Sequence, residues 1–308
     1  MYLNRRKFLN TLAVAGAMSG EVLGRQGLGK SAPISCNQYS WITFYNRAGK
    51  NWSADLDVSL SEFASSGLTA YEPAASNAED VKRLLPFLKK HGLTMPSLYV
   101  NSALHKPDEA GRSISTVLSI ADACNEAGTK IIVTNPSPIQ AGSAQNKSDA
   151  ELTEQAVNLD KLGAELRKRG MTLAYHTHDV ELRAAAREFH HMLLATDPKN
   201  VSLCLDVHWV YRGSGDSQVA LFDIVKLYGK RIAELHIRQS KGGVWQEVFG
   251  DGDIDYRRLV SQLRTLKVKP HLVLEQCLEK TSPNTMTAVE AHKKDIIYSR
   301  EVFGDWMG

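Results

Sequence analysis

The sequence predicts an α/β protein of one domain, a (β/α)8 TIM barrel. Three observations carry that prediction. Eight strand-like apolar runs alternate with amphipathic stretches to the end of the chain. The stretches between runs are long enough for the helical crossovers that parallel neighbours need. The chain has 308 residues, 43% of them hydrophobic, which suits one large barrel core. A doubly wound open sheet is the runner-up, but its Gly-rich first turn is missing. No linker splits the chain, and heptads and low-complexity tracts are absent.

The strand candidates follow in order: 33–41 (PISCNQYSW), 68–74 (LTAYEPA), 93–100 (LTMPSLYV), 130–136 (KIIVTNP), 171–178 (MTLAYHTH), 201–209 (VSLCLDVHW), 231–238 (RIAELHIR) and 271–276 (HLVLEQ). Each is apolar or alternating, as a half-buried or buried strand should be. Helices are expected between them. AEDVKRLLPFLKKHG stops at Gly92. The run that begins at Ser148, with Glu151 three residues on, has the pattern of a capping box and ends at Gly170. QVALFDIVKLYG, DYRRLVSQLRTL and a tail helix from Asn284 complete the set.

The formal charge of +3 is carried by the N-terminus, because residues 1–32 sum to +4 and leave about −1 for the rest. A body without a basic surplus argues against nucleic acid as a partner. Residues 1–32, with Arg5, Arg6, Phe8 and Leu9 before a weakly apolar stretch, look like a twin-arginine leader. The barrel is then 33–308, and the expected location is exported and periplasmic, with the cytoplasm as the alternative. No run approaches the roughly 18 apolar residues of a membrane span, so no stable insertion is expected.

The run GRQGLGKS (24–31) matches a P-loop by letter only, because no strand precedes it and no helix follows. Cys36, Cys124, Cys204 and Cys277 have no CxxC spacing and read as buried thiols, with a Cys36–Cys277 disulfide left open.

Active sites of barrels lie where the strands end. Alternation along the strands points Leu173 and Tyr175 outward and His176 and His178 inward. The same count turns Leu203 and Leu205 outward and Asp206 inward, Leu235 outward and His236 inward, and Leu274 outward and Glu275 inward. Four consecutive strands thus offer His, Asp, His and Glu to one quadrant. Strands ~4.8 Å apart can share a cation bound at ~2.0–2.2 Å. Four isolated buried charges would be costly without such a role. The expected metal set is His176, Asp206, His236 and Glu275. The mixed imidazole and carboxylate donors suit Mn²⁺, Zn²⁺, Co²⁺ or Fe²⁺ better than Ca²⁺.

The ordered pieces YHTHDVE, LDVHW with GSGD, LHIRQSKGG, FGDGDIDY and LVLEQ resemble the xylose isomerase-like barrel superfamily, the sugar phosphate isomerase/epimerase group. The resemblance spans the chain after Pro33. It implies one divalent ion at the rim, with Asp206, His236 and Glu275 in ligand positions. The strand-five ligand of the family's epimerases is often glutamate. His176 stands there in this sequence, so a symmetric two-carboxylate scheme lacks one of its bases.

The expected chemistry is proton abstraction next to a carbonyl of a sugar or polyol, with an ene-diolate stabilised by the metal. Glu275 is the expected base. His178 and Glu181 are the candidates for acid or second base. Arg238, Glu72, His208 and Trp209 are expected at the substrate, and Trp41 and Trp245 are further stacking candidates. The segment KGGVWQEVFGDGDIDY reads as a mobile rim loop. Its Asp251 and Asp253 imitate a calcium loop whose sixth and twelfth positions fail.

Three classes of function are open. They are an isomerase or epimerase, a lyase or hydratase acting on a keto-sugar or keto-glycoside, and a non-catalytic carbohydrate-binding barrel. An endonuclease IV-like nuclease would need more metal ligands and a basic face. An oligomer is compatible with all of these.

Overall fold

The computed structural model describes residues 34–306, so the twin-arginine leader and the P-loop-like run lie outside the described residues. The described residues form one compact unit.

The barrel strands are β1 (Ser35–Asn37), β2 (Ala70–Glu72), β3 (Ser97–Ser102), β4 (Ile131–Pro136), β5 (Thr172–Tyr175), β6 (Val201–Asp206), β7 (Ile232–Ile237) and β8 (His271–Leu274). All neighbours pair in parallel, in the order β2-β1-β8-β7-β6-β5-β4-β3. The two ends of that ladder meet through Tyr71 N donating to Thr94 O (2.9 Å) and Tyr99 N donating to Pro73 O (2.9 Å). Eight parallel strands therefore make a nearly closed barrel, as the sequence predicts.

The surrounding helices are α1 (Gln38–Arg47), α2 (Leu56–Ser65), α3 (Ala78–Lys90), α4 (Pro107–Ala123), α5 (Asp149–Lys168), α6 (Arg183–Ala195), α7 (Val207–Gly213), α8 (Gln218–Tyr228), α9 (Tyr256–Thr265) and α10 (Ala288–Phe303). The Ser148–Glu151 capping box is formed, and Gly170 follows the C-cap of α5 at φ +71°.

Each strand is shorter than its expected run, and β1 and β6 end early for one physical reason. Asn37 and Asp206 each turn a strand end into a helix start. The Asn37 side chain accepts from Tyr39 N at 2.7 Å and begins α1. The Asp206 side chain accepts from Trp209 N at 2.7 Å and begins α7. Ser40 and Trp41 in α1 and Val207 and His208 in α7 are buried, so the apolar pattern runs on past the change of structure.

Alternation sorts the strands as expected. Leu173, Tyr175, Leu203, Leu205, Leu235, Leu272 and Leu274 join the large core that the helices cover. Ile131, Val133, Ala174 and Cys204, with Tyr99 against them, form a separate small cluster on the inward face. All four cysteines are free and buried, and the Cys36–Cys277 disulfide is not formed.

The segment expected as a mobile loop after β7 folds as a hairpin, with Ser240–Lys241 antiparallel to Val244–Trp245. Gly242 (φ +60°) and Gly243 (φ +79°) supply the two left-handed residues of its turn. Asp253 fastens it, accepting from Gly242 N (2.8 Å), Gly243 N (2.9 Å) and Ser240 Oγ (2.7 Å). That carboxylate is spent on the turn, in keeping with the failed calcium pattern. Trp41 is fully buried on α1 among Tyr45, Trp52, Phe63 and His292, so it packs the core and does not reach the rim.

Candidate metal centre

Register brings the rim residues together. Asp206 on β6 lies directly beside His236 on β7, and Val273 on β8 lies on the other side of His236. His176 follows β5, and Glu275 follows β8. One ligand atom each from His176, Asp206, His236 and Glu275 lies within 4.8 Å of the other three. All four residues are buried.

The set fits a divalent cation. Neither ring nitrogen of His176 has a hydrogen-bond partner among the described residues, although both are buried. Its Nε2 lies 3.6 Å from Asp206 Oδ2. A buried imidazole without a partner is costly unless something else takes its lone pair. Two imidazoles and two carboxylates form a borderline donor set, as first-row divalent ions prefer.

Arg238, two residues beyond His236, closes the cluster from above. Its Nη2 lies 3.0 Å from Asp206 Oδ2 and 2.9 Å from Glu275 Oε2. Its guanidinium carbon sits 4.2 Å from the Trp245 ring centroid and 5.2 Å from that of Trp209. Burial opposes the Glu275 charge, but Arg238 and His236 outweigh it and hold this carboxyl well below the usual range. Burial likewise opposes the Arg238 cation, and Asp206 and Glu275 more than restore it.

Beneath the rim lies a second polar layer that reading the strand ends alone did not find. Glu234 stands two residues before His236 on the same inward face, beside Cys204. Glu72 Oε1 lies 3.1 Å and Glu234 Oε1 lies 3.2 Å from His236 Nε2, while Glu275 Oε2 lies 3.2 Å from Nδ1. Burial works against the His236 cation, but Cys204, Glu72 and Glu275 raise its pKa well above the ordinary value. Burial and the neighbouring Glu72 push Glu234 up. Burial also opposes the Glu72 charge, yet His236, Ser97 and Asn37 bring that carboxyl down. Period-two spacing in ELHIR could have revealed Glu234, because i and i+2 share a strand face.

The other expected residues divide by position. Glu72 is fully buried, with Asn37 Nδ2 donating to Oε1 (2.7 Å) and Ser97 Oγ donating to Oε2 (2.5 Å), so it serves the floor and not the mouth. Glu181 is fully buried too, accepting from Asn135 Nδ2 (3.1 Å) and from His178 N (2.7 Å). Burial, then Glu188, raises its pKa. His178 is half-buried at the mouth, its ring centroid 4.9 Å from that of His176 and 5.5 Å from that of Trp209. Burial and then His176 keep it neutral, with a pKa of about 3.

His208 is buried in the first turn of α7, with Nε2 3.0 Å from Ser240 Oγ. It supports the hairpin and does not face the mouth. Trp245 lies under two guanidinium groups, Arg238 at 4.2 Å and Arg212 at 4.8 Å, so it serves as their platform. Trp209 remains half-buried at the mouth. Tyr99 is an unexpected member, half-buried, with its ring centroid 5.3 Å from that of His176. Asn135 is another, and its Nδ2 also donates to His176 O at 3.0 Å.

Fold and site together define a (β/α)8 barrel with a His–Asp–His–Glu cluster at its strand ends that can hold a divalent cation. The family model for xylose isomerase-like TIM barrels matches residues 60–299, and the chain belongs to that family. An inosose dehydratase of Clostridium perfringens is 25% identical over 267 residues, covering 76% of this chain and 86% of that protein. Among solved structures, a sugar phosphate isomerase/epimerase from Parabacteroides distasonis superposes with a TM-score of 0.69 at 17% identity, covering 92% of this chain and 97% of that one. A xylose isomerase-like TIM barrel protein from Mycobacterium smegmatis in complex with magnesium gives 0.68 at 13% identity, covering 90% and 98%.

Proposed function

We propose that the protein is a metal-dependent lyase that removes a proton next to the carbonyl of a keto-sugar or keto-polyol and expels water. The single observation that carries this reading is the one-sided placement of carboxylates. Glu275 is a member of the cation cluster and the one of its two carboxylates that keeps some exposure toward the mouth. On the opposite side His176 takes the strand-five position, and Glu181 below has both oxygens engaged. One base on one face suffices for an elimination, whereas an epimerase must protonate the opposite face. The curated relative named inosose dehydratase supports the same choice.

His176, Asp206, His236 and Glu275 would hold the cation. When bound, it would supply positive charge to the oxygen that gains electrons as the proton leaves. Glu275 takes the proton. Its depressed pKa keeps it ionised at neutral pH. Arg238 orients Glu275 and Asp206 from above. His178, neutral and half-buried, donates a ring N–H hydrogen bond to the departing hydroxyl, and the proton that Glu275 has taken leaves with that hydroxyl as water. Trp209 and Tyr99 border the space beside it and exclude water.

A second reading is epimerisation, favoured by the position of His178 as a neutral proton carrier across from Glu275. Incubation of the metal-reconstituted protein with keto-polyols in deuterium oxide separates the two. Loss of one water by mass spectrometry supports the lyase. Deuterium incorporation with no loss of water supports the epimerase. Sugar binding with neither change supports a binding barrel and ends both readings.

A further inference from the structure

The layer under the rim has a geometry that the reaction itself does not require. Glu72 and Glu234 come from β2 and β7, yet both direct an oxygen at His236 Nε2, at 3.1 and 3.2 Å. Glu72 is held there by two donors from two further strands, Asn37 Nδ2 on β1 and Ser97 Oγ on β3. Cys204 Sγ on β6 donates to Glu234 Oε1 at 3.6 Å. Both carboxyl groups are fully buried and so lie out of reach of a substrate at the mouth.

A carboxylate that already accepts from an amide and a hydroxyl is an acceptor toward the ring as well. The ring nitrogen facing it must therefore carry the hydrogen. We propose that Glu72 and Glu234 are positioning residues that keep the proton on His236 Nε2 and so present Nδ1 to the rim as the ligand atom. Nδ1 lies on the rim side, 3.2 Å from Glu275 Oε2, and is the nitrogen that would give up its hydrogen to bind the cation. A carboxylate behind a ligating imidazole fixes its tautomer and ring orientation and raises its donor strength. Here two carboxyl groups face one N–H, which also limits rotation of the ring. The inference rests on the cation reading above.

The test uses the full chain loaded with Co²⁺. Glu72→Gln keeps the size of the side chain and removes its charge. The expected result is a loss of Co²⁺ affinity of about 10–100-fold in a chain whose circular dichroism and melting remain those of a folded barrel. Proton NMR of the cobalt form in water should show an exchangeable, strongly shifted N–H resonance from Nε2. That resonance should exchange with solvent faster in the variant. A purely structural Glu72 would lower the melting temperature and leave both readouts unmoved, and that result overturns the proposal. If Glu72→Gln does not fold, Glu234→Gln carries the same two readouts, with the same outcomes deciding. A wild-type chain that takes up no cobalt removes the cation reading and this inference with it. That failure is distinguishable from a loss confined to the variants.

Discussion

The Arg238 guanidinium bridges two carboxylates of the rim, with Nη2 2.9 Å from Glu275 Oε2 and 3.0 Å from Asp206 Oδ2. Asp206 and Arg238 are essentially inaccessible and Glu275 nearly so. Removing one partner of such a buried group leaves an uncompensated charge. Arg238→Ala should therefore lower stability by about 3–5 kcal/mol. Urea denaturation of the variant and parent in the same buffer measures this. A change within experimental error would show that the pair is replaceable by water.

Glu275→Gln tests the proposed base. The amide keeps the shape and a hydrogen bond to Arg238 becomes weaker. Turnover should fall by about 10²–10⁴-fold, with a smaller change in KM. Full turnover on the substrate of the parent enzyme would remove Glu275 from the chemistry.

His208 predicts a pH dependence. Burial, then Arg238, holds its pKa at about 3, against roughly 6.5 for an unfolded histidine. Between those values the unfolded chain binds the extra proton and the folded chain does not. Its contribution is therefore complete above the unfolded pKa and is lost as pH falls toward about 3. The slope is about 1.4 kcal/mol per pH unit. His208→Gln, which can still bond Ser240, should flatten the stability curve below pH ~6.5. An unchanged slope would mean that His208 protonates freely in the folded chain.

Backbone strain next to the site gives a prediction of opposite sign. Ala184, Ala185 and Ala186 have φ of +51°, +61° and +55°, a left-handed turn at the start of α6. Left-handed conformations cost an L-residue about 1–2 kcal/mol, part of which glycine returns as lost entropy. Ala185 is exposed, so its methyl group packs little. Ala185→Gly should raise stability by about 0.5–1 kcal/mol, visible as a higher melting temperature. A lower one would contradict the left-handed assignment.

Legibility in the sequence followed physical range. The alternation of Leu203, Leu205 and Asp206 is a local property of a pleated strand, and it places the inward set correctly. Helix caps such as Ser148 are also local. What escaped notice depends on contacts between distant strands. Glu72 looked like a rim residue because it ends its strand, yet its strand is short and its partners Asn37 and Ser97 draw it to the floor. Glu181 sat beside two histidines in sequence, but Asn135 and the His178 backbone take its oxygens. Trp245 appeared free to stack on a sugar. Only the fold brings Arg238 and Arg212 onto its ring.

The hairpin fastened by Asp253 has a consequence for how the protein can diversify. It lays Ser240 on His208 and Trp245 beneath Arg238, so the β7–β8 side of the opening is sealed. Tyr99, His178 and Trp209 keep partial exposure around the remaining arc. Newcomers must arrive through that arc. Selection for a bulkier or smaller guest should accumulate its substitutions in the segments after β3, β4 and β5, and leave the sealed side untouched.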